Sequence, residues 1–312
     1  MKQNQFSETY SKFLQKFLKP RKLLKIIFDC SNGTAGLILE KALSGQSPDQ
    51  SLNYKIINGN PDGDFPAHGP NPLKSGATKQ LQLAVKKYKA DLGIIFDADG
   101  DRMLCVDDKG RFVNPGASAR LLIWHLKPKK AIVDVGTSWL VKRFKIHDSR
   151  FMIHESKVGQ YFIKQKMRIE NADFGAEHSG HYYFKEFFSL DSGILAAIEI
   201  INAVSKLPYR LSDFVDLLPR YYRSEIDLGL KRVDPENLLK AVERAYQREA
   251  LPTGRQAVKI SRLDGLTMEF PDWWFNLRFS QTEPLVRLNI EATEKFKLQE
   301  EVLRFKKLLN LK

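Results

Sequence analysis

The chain has 312 residues, 43% of them hydrophobic, and a net charge of +13; this excludes a disordered chain, predicts more than one domain and favours anionic partners, either nucleic acid or phosphate-bearing small molecules. Its two cysteines, Cys30 and Cys105, lie inside apolar strand-like runs with no metal-ligand spacing, so buried free thiols and a reducing, cytoplasmic setting are expected rather than a disulfide framework. The opening stretch MKQNQFSETYSKFLQKFLKP is polar and broken by charges, which excludes a signal-peptide core, and no run approaches the roughly 18 apolar residues of a membrane span.

In chain order, LLKIIFDC reads as a buried strand, TAGLILEKAL as a helix, YKIIN as a strand, SGATKQLQLAVKKYKA as a helix and DLGIIF as a strand. That alternation predicts a mostly parallel sheet with helices packed on it. MLCVDDKGRFV is expected to be a hairpin turning at Asp108, Lys109 and Gly110. The pattern then repeats: KAIVDV, SWLVKRFKI, RFMIHES and VGQYFIKQKMRI read as strand, helix, strand, helix. ADLGIIFDADGDRMLCV and ADFGAEHSGHYYF share Ala-Asp-apolar-Gly, a polar loop and an apolar strand, which predicts two related domains. SLDSGILAAIEIINAVSKL is a long helix. PENLLKAVERAYQREA is a further helix, KISRLDGLTMEF, WWFNLRFS and LVRLNIEA an antiparallel meander, and EKFKLQEEVLRFKKLL a closing helix. The expected fold is α/β: two related βαβ-type mixed-sheet domains (1–116 and 117–218), followed by a smaller α+β domain with an antiparallel sheet (219–312).

Three loops carry candidate chemistry. Asp97, Asp99 and Asp101 follow LGIIF at the carboxyl end of a predicted strand, where parallel sheets place ligand sites. Alternate residues of an extended segment point the same way. Three carboxylates so arranged repel one another unless a cation lies between them, and hard oxygen donors suit Mg²⁺. An EF-hand fails on spacing, since Gly100 is fourth rather than sixth and the twelfth residue is Asp108 rather than Glu. An acidic hairpin turn is the bland alternative. Arg102, next in line, holds a phosphate or balances charge.

GAEHSGH places Glu177, His178, Ser179 and His181 in one loop. A carboxylate beside a hydroxyl suits vicinal sugar hydroxyls, and a histidine moves protons near neutral pH. The loop lacks the G-x-S-x-G of a hydrolase elbow and the H-E-x-x-H spacing of a zinc helix. RFSQTEPLVR gathers Arg278, Ser280, Gln281 and Thr282, donors suited to a phosphate, with a turn at Pro284; alone it is an ordinary polar turn.

Together, in this order, the three loops resemble those of the α-D-phosphohexomutases, the family of phosphomannomutases and phosphoglucomutases. DADGDR is similar to that family's metal loop, GAEHSGH to its sugar loop and RFSQTEP to its phosphate loop, and PDGDFPAHGPNP resembles a further signature. The resemblance implies an intramolecular phosphotransferase acting through Mg²⁺ and a phosphoserine. It makes Asp97, Asp99 and Asp101 the metal ligands, and Glu177 and Ser179 the grip on sugar hydroxyls. His181 and Arg102 become the catalytic candidates, and Arg278, Ser280, Gln281 and Thr282 the hold on the non-transferring phosphate. The implied ligand is a hexose 1-phosphate or 6-phosphate, with no nucleic acid and no membrane.

The departures matter as much. The family's serine loop reads approximately T-A-S-H-N-P, and nothing like it occurs here. The chain begins where the family's second domain begins, so the expectation is a truncated or split enzyme, inactive alone and needing a separately encoded serine-bearing domain. Gln160 stands where His is usual, Gly136 where a basic residue is common, and Gln281 where Asn is common. A non-catalytic sugar-phosphate binder is the competing reading. A basic nucleic-acid binder fits less well, because aromatic-basic interleaving and a base-reading helix stripe are absent. Adjacent Trp273 and Trp274 read as packing. Mannose, glucose and glucosamine phosphates are not separated by these motifs.

Overall fold

A computed structural model describes residues 2–44, 52–144, 151–229, 234–250, 259–280 and 285–309. Contacts group the chain into two bodies, one of residues 1–133, 140–154 and 164–218, the other of residues 134–139, 155–163 and 219–312.

The first body opens with α1 (Lys2–Gln15), β1 (Lys25–Asp29), α2 (Ala35–Leu43), β2 (Asn53–Ile57), α3 (Lys79–Tyr88), β3 (Leu92–Phe96), β4 (Met103–Asp107) and β5 (Phe112–Val113). The strands form one sheet in the order β2-β1-β3-β4-β5. β1 runs parallel to β2 and β3, whereas β3 and β4 are antiparallel. Leu81 and Val85, four apart on α3, share one face and pack on Ile27, Ile95, Leu104 and Val106 of the sheet. The predicted hairpin is present: Gly110, at a positive φ, donates its N–H to the Asp107 carbonyl.

Next come α4 (Pro115–Leu126), β6 (Lys130–Asp134), α5 (Trp139–Lys142), β7 (Met152–Ser156), α6 (Gln160–Glu170), β8 (Phe174–Ala176), β9 (Tyr182–Phe184), β10 (Leu190–Asp191), α7 (Gly193–Lys206) and α8 (Leu211–Asp216). The second sheet has the order β7-β6-β8-β9-β10, the order of the first with each strand replaced by its counterpart. The shared Ala-Asp of the two sequence stretches has a shared purpose. Asp91 Oδ2 accepts the Lys25 N–H, and Asp173 Oδ2 accepts the Lys129 N–H, so each aspartate tethers the entry of the neighbouring strand.

Helices α1, α4 and the short α8 went unassigned in the sequence. α1 carries Tyr10, Phe13, Leu14 and, just beyond its end, Phe17, an i, i+3, i+4, i+7 stripe diluted by polar neighbours. Tyr10 and Phe13 pack on Phe187, and the Tyr10 hydroxyl lies 2.6 Å from Ser192 Oγ. α4 is apolar nearly all round, which hides its period, but its start is well marked. Pro115 is its first residue, and the Asn114 side chain accepts the Gly116 N–H at 2.8 Å. The helix expected over SWLVKRFKI is α5, short among the described residues; positions 145–150 lie outside them.

The second body holds β11 (Tyr222–Gly229), α9 (Pro235–Ala250), β12 (Lys259–Ser261), β13 (Leu266–Glu269), β14 (Trp273–Phe279), β15 (Leu285–Ala292) and α10 (Lys295–Leu308). Its antiparallel sheet has the order β11-β15-β14-β13-β12. β11 was not legible as a strand, and KISRLDGLTMEF breaks into β12 and β13 around Gly265 at φ +72°. Trp273 stacks on Phe270 at 4.4 Å and packs with Tyr246 and Phe275, while Trp274 is buried and donates to Glu291 Oε1. Both tryptophans are core, as their sequence context predicted.

Candidate functional site

The first body brings two predicted loops together. After β3 the chain turns sharply: Asp97 Oδ1 accepts the N–H groups of Gly100 and Arg102, both at 3.1 Å. Gly100 sits at φ +77°, a backbone region that favours glycine. The turn rests on the loop that follows β1. Thr34 N–H donates to the Ala98 carbonyl at 2.8 Å, and a Cβ on Gly33 would lie 2.2 Å from that oxygen. Only glycine admits this approach.

One oxygen from each of Asp97, Asp99 and Asp101 lies within 4.8 Å of the others. An all-carboxylate set fits a hard cation such as Mg²⁺, which takes a few carboxylates and keeps positions for water or phosphate. The three differ in setting. Asp97 is buried, and burial pushes its carboxyl up to about 6 against the pull of Arg102, whose Nε donates to Oδ2 at 2.6 Å. Asp99 is exposed. For Asp101 burial works in the same direction as for Asp97, but the His181 imidazole at 3.3 Å, with Asp97 and Arg102, outweighs it and holds the carboxyl below its ordinary value.

GAEHSGH forms the loop between β8 and β9. Glu177 N–H donates to the His181 carbonyl, and Gly180 N–H, at φ +93°, donates to the Glu177 carbonyl, closing a tight turn. Glu177 is buried, and its Oε2 accepts the Tyr183 hydroxyl at 2.7 Å. His181 Nδ1 lies 2.7 Å from Ser179 Oγ and 3.3 Å from Glu177 Oε2. Burial would lower the His181 pKa, yet Asp101 and Glu177 together raise it to about 10. The imidazole is therefore a cation at neutral pH, poised to donate rather than to accept a proton.

The two loops are joined by backbone. Arg102 and His181 form an isolated antiparallel bridge, and Met103 N–H donates to the Gly180 carbonyl at 3.0 Å. Gly193 seals the junction: its N–H donates to the Gly100 carbonyl, and a Cβ there would meet the Arg102 carbonyl oxygen at 2.5 Å. Asn71 also enters the site, accepting from Arg102 Nη1 at 3.4 Å. Sequence reading gave Asn71, Gly33, Tyr183 and Gly193 no role. Asn71 stands in the PDGDFPAHGPNP signature, which was its only signal. Nearby, a cavity of about 530 Å³ opens between Asn32, Asn58, His68 and Gln80.

In the second body, Arg278 on β14 is nine-tenths buried, and among the described residues its Nε has no hydrogen-bond partner. An orphaned guanidinium N–H is what an anion-holding arginine presents before its ligand arrives. Directly across the sheet stands Arg287, which is already committed, bonding Asp227 through Nε and Nη2 at 2.7 and 2.9 Å. Ser280 N–H closes onto the Leu285 carbonyl. Gln281 and Thr282 lie outside the described residues.

Comparison with known proteins adds to this geometry. Residues 6–110, 117–221 and 230–308 match, in that order, family models for phosphoglucomutase/phosphomannomutase alpha/beta/alpha domain II, alpha/beta/alpha domain III and C-terminal domain. The chain is 34% identical over 307 residues to a phosphomannomutase of Methanocaldococcus jannaschii, covering 97% of this chain and 65% of that protein. It is 33% identical over 275 residues to a phosphomannomutase of Escherichia coli, covering 86% of this chain and 58% of that protein. A phosphoglucomutase/phosphomannomutase family protein from Burkholderia thailandensis superposes with a TM-score of 0.80 at 23% identity, over 97% of this chain and 64% of that one. N-acetylphosphoglucosamine mutase of Aspergillus fumigatus, solved in complex with GlcNAc-6P and magnesium, gives 0.67 at 14% identity, over 97% of this chain and 65% of that one. At such identities the two structures speak to fold alone. The chain thus spans between 58% and 65% of the length of these relatives.

Proposed function

Because this chain belongs to the phosphoglucomutase/phosphomannomutase family, we propose that it binds Mg²⁺ and a hexose 1-phosphate or 6-phosphate and supplies most of the working parts of a phosphohexomutase. The observation that carries this reading is the Arg102–His181 bridge, which fastens the carboxylate loop to the loop of Glu177 and Ser179.

Asp97, Asp99 and Asp101 hold Mg²⁺, which when bound neutralises charge on a phosphoryl group in transfer. Arg102 clamps Asp97 through Nε and reaches Asn71 through Nη1, which leaves its other guanidinium donors for phosphoryl oxygens. Glu177 accepts from a sugar hydroxyl, with Ser179 beside it as donor or acceptor. His181, cationic at neutral pH, gives its proton to an oxygen of the sugar phosphate. Arg278, Ser280, Gln281 and Thr282 hold the non-transferring phosphate. In this reading residues 1–116, 117–218 and 219–312 are the metal, sugar and phosphate domains. The free buried thiols favour a cytoplasmic setting, and no described helix is long and apolar enough to cross a membrane.

Phosphoryl transfer needs an in-line donor beside the ion. No serine of these 312 residues has the loop expected of that donor, so the phosphoryl group comes from outside them, from a serine-bearing domain. Calorimetry with Mg²⁺ and with hexose phosphates tests the binding half. Asp99→Asn is expected to weaken Mg²⁺ clearly, and Arg278→Ala to cost about 1.5–3 kcal/mol in sugar-phosphate binding. Unchanged affinities in both variants would remove the basis of the assignment.

A further inference from the structure

The strongest feature that this function leaves unused is a second ligand set beside the three aspartates. Asp101, His181 and Asp191 each present one ligand atom, all within 4.8 Å of one another. Asp191 ends β10, on the far edge of the second sheet, and is more than nine-tenths buried. It reaches the group only because β8, β9 and β10 lie side by side. Nothing in the sequence pairs it with the other two.

We propose that Asp101, His181 and Asp191 form a transition-metal site, of the kind that takes Zn²⁺, separate from the Asp97, Asp99 and Asp101 set and sharing one ligand with it. Three observations carry this. The donors are mixed: an imidazole with two carboxylates suits Zn²⁺, whereas three carboxylates suit Mg²⁺. Three protein ligands are the number that an open zinc site uses.

The histidine is also oriented as a metal ligand requires, and Zn²⁺ binding there releases the Nε2 proton to solvent. Nε2 faces Asp101 at 3.3 Å, while Nδ1 turns to Ser179 Oγ at 2.7 Å and Glu177 Oε2 at 3.3 Å. A carboxylate on the far nitrogen of a metal-bound histidine fixes the ring and makes it a better donor. That carboxylate is itself positioned, since Glu177 Oε2 accepts the Tyr183 hydroxyl at 2.7 Å.

Finally, the spacing is close to closure. An ion about 2.0–2.2 Å from each ligand needs ligand atoms no more than about 4.2 Å apart, so small side-chain rotations complete the set. Asp101 belongs to both sets, and occupation of one is therefore felt at the other. The site does not depend on the phosphohexomutase reading.

The test uses metal alone, without sugar phosphate. In the unaltered chain, saturating Zn²⁺ is expected to move the His181 Nε2 resonance in a long-range imidazole ¹H–¹⁵N spectrum to the position of a metal-bound nitrogen, and Mg²⁺ is expected to shift it only as far as the altered contact with Asp101 requires. By calorimetry, His181→Gln and Asp191→Asn are each expected to lower Zn²⁺ affinity at least about tenfold, and Glu177→Gln about 10–100-fold. Asp191→Asn should leave Mg²⁺ affinity unchanged, because Asp191 belongs to the mixed set alone. Asp99→Asn should do the reverse, and Asp101→Asn should weaken both ions. An unmoved His181 Nε2 resonance at saturating Zn²⁺ overturns the site without any variant having to fold. So does Zn²⁺ affinity that falls in Asp99→Asn but not in Asp191→Asn. Loss of Mg²⁺ binding with Zn²⁺ binding intact would count against the proposed function and leave this site standing.

Discussion

Arg102 and His181 each precede a strand of a different sheet, β4 and β9, yet they pair backbone to backbone as an isolated antiparallel bridge. The bridge welds the exit of the carboxylate loop to the exit of the Glu177 loop. Neither loop can move far without the other, so the relative positions of the carboxylates and the imidazole are properties of the backbone rather than of flexible side chains. Predictions follow from how this junction and its surroundings are built.

Gly33→Ala should disturb the carboxylate loop from outside it. A Cβ at that position meets the Ala98 carbonyl at 2.2 Å, so backbone must shift. We expect a loss of about 1–3 kcal/mol in urea unfolding, the usual cost of overpacking, together with weaker Mg²⁺ binding. Gly63→Ala is the control, because nothing lies within 4 Å of a Cβ there. Equal stability of the two variants would show that the loop does not rest on Gly33.

The His68–Asp29 pair should tie stability to pH. Both side chains are buried, with the imidazole Nε2 3.2 Å from each Asp29 oxygen. The hydrogen bond to Asp29 raises the His68 pKa above its ordinary value, with burial opposing. A raised folded pKa means that the pair's stabilisation is complete below the unfolded value of about 6.5. It is lost as pH rises through the folded value. Unfolding measured for wild type and His68→Gln at pH 5.5 and 9 should show the larger difference at pH 5.5. A difference independent of pH would mean that the pair carries no charge.

Both thiols should be silent in the native protein. Burial pushes Cys30 and Cys105 up to about 12, so at pH 8 the thiolate fraction is on the order of 10⁻⁴. A disulfide reagent such as DTNB is expected to titrate neither thiol until denaturant is added, and then both. Rapid native reaction of either would show that its strand opens readily.

If, as proposed, the phosphoryl group returns to a serine outside these 312 residues, the purified chain should show no mutase turnover, even with a hexose 1,6-bisphosphate activator. A serine-bearing domain added from a close relative should restore turnover. Restoration should depend on Asp97, Asp99 and Asp101 here and on the serine there. Robust turnover by the chain alone, with a contaminating mutase excluded by mass spectrometry, would mean that another residue takes the phosphoryl group, and the phosphopeptide would identify it.

What the sequence determined by itself was local. Strand and helix periods marked β1 to β4 and α3 because their burial repeats over a few residues, as with Leu81 and Val85. The Ala-Asp-apolar-Gly match exposed the repeated sheet, because Asp91 and Asp173 must each tether the start of an adjacent strand. The candidate ligands were legible because each loop is one short run. α1 and α4 were obscured, the first by polar dilution of its stripe and the second by apolar residues on most of its faces. Only the tertiary structure decided which loops meet. Asp191 nears His181 through sheet order, Asn71 reaches Arg102 from a distant loop, and Gly33 and Gly193 are glycine because backbone from elsewhere lies against them. Such contacts are set by long-range packing, in which each partner's identity depends on a surface that its own neighbours in sequence do not form.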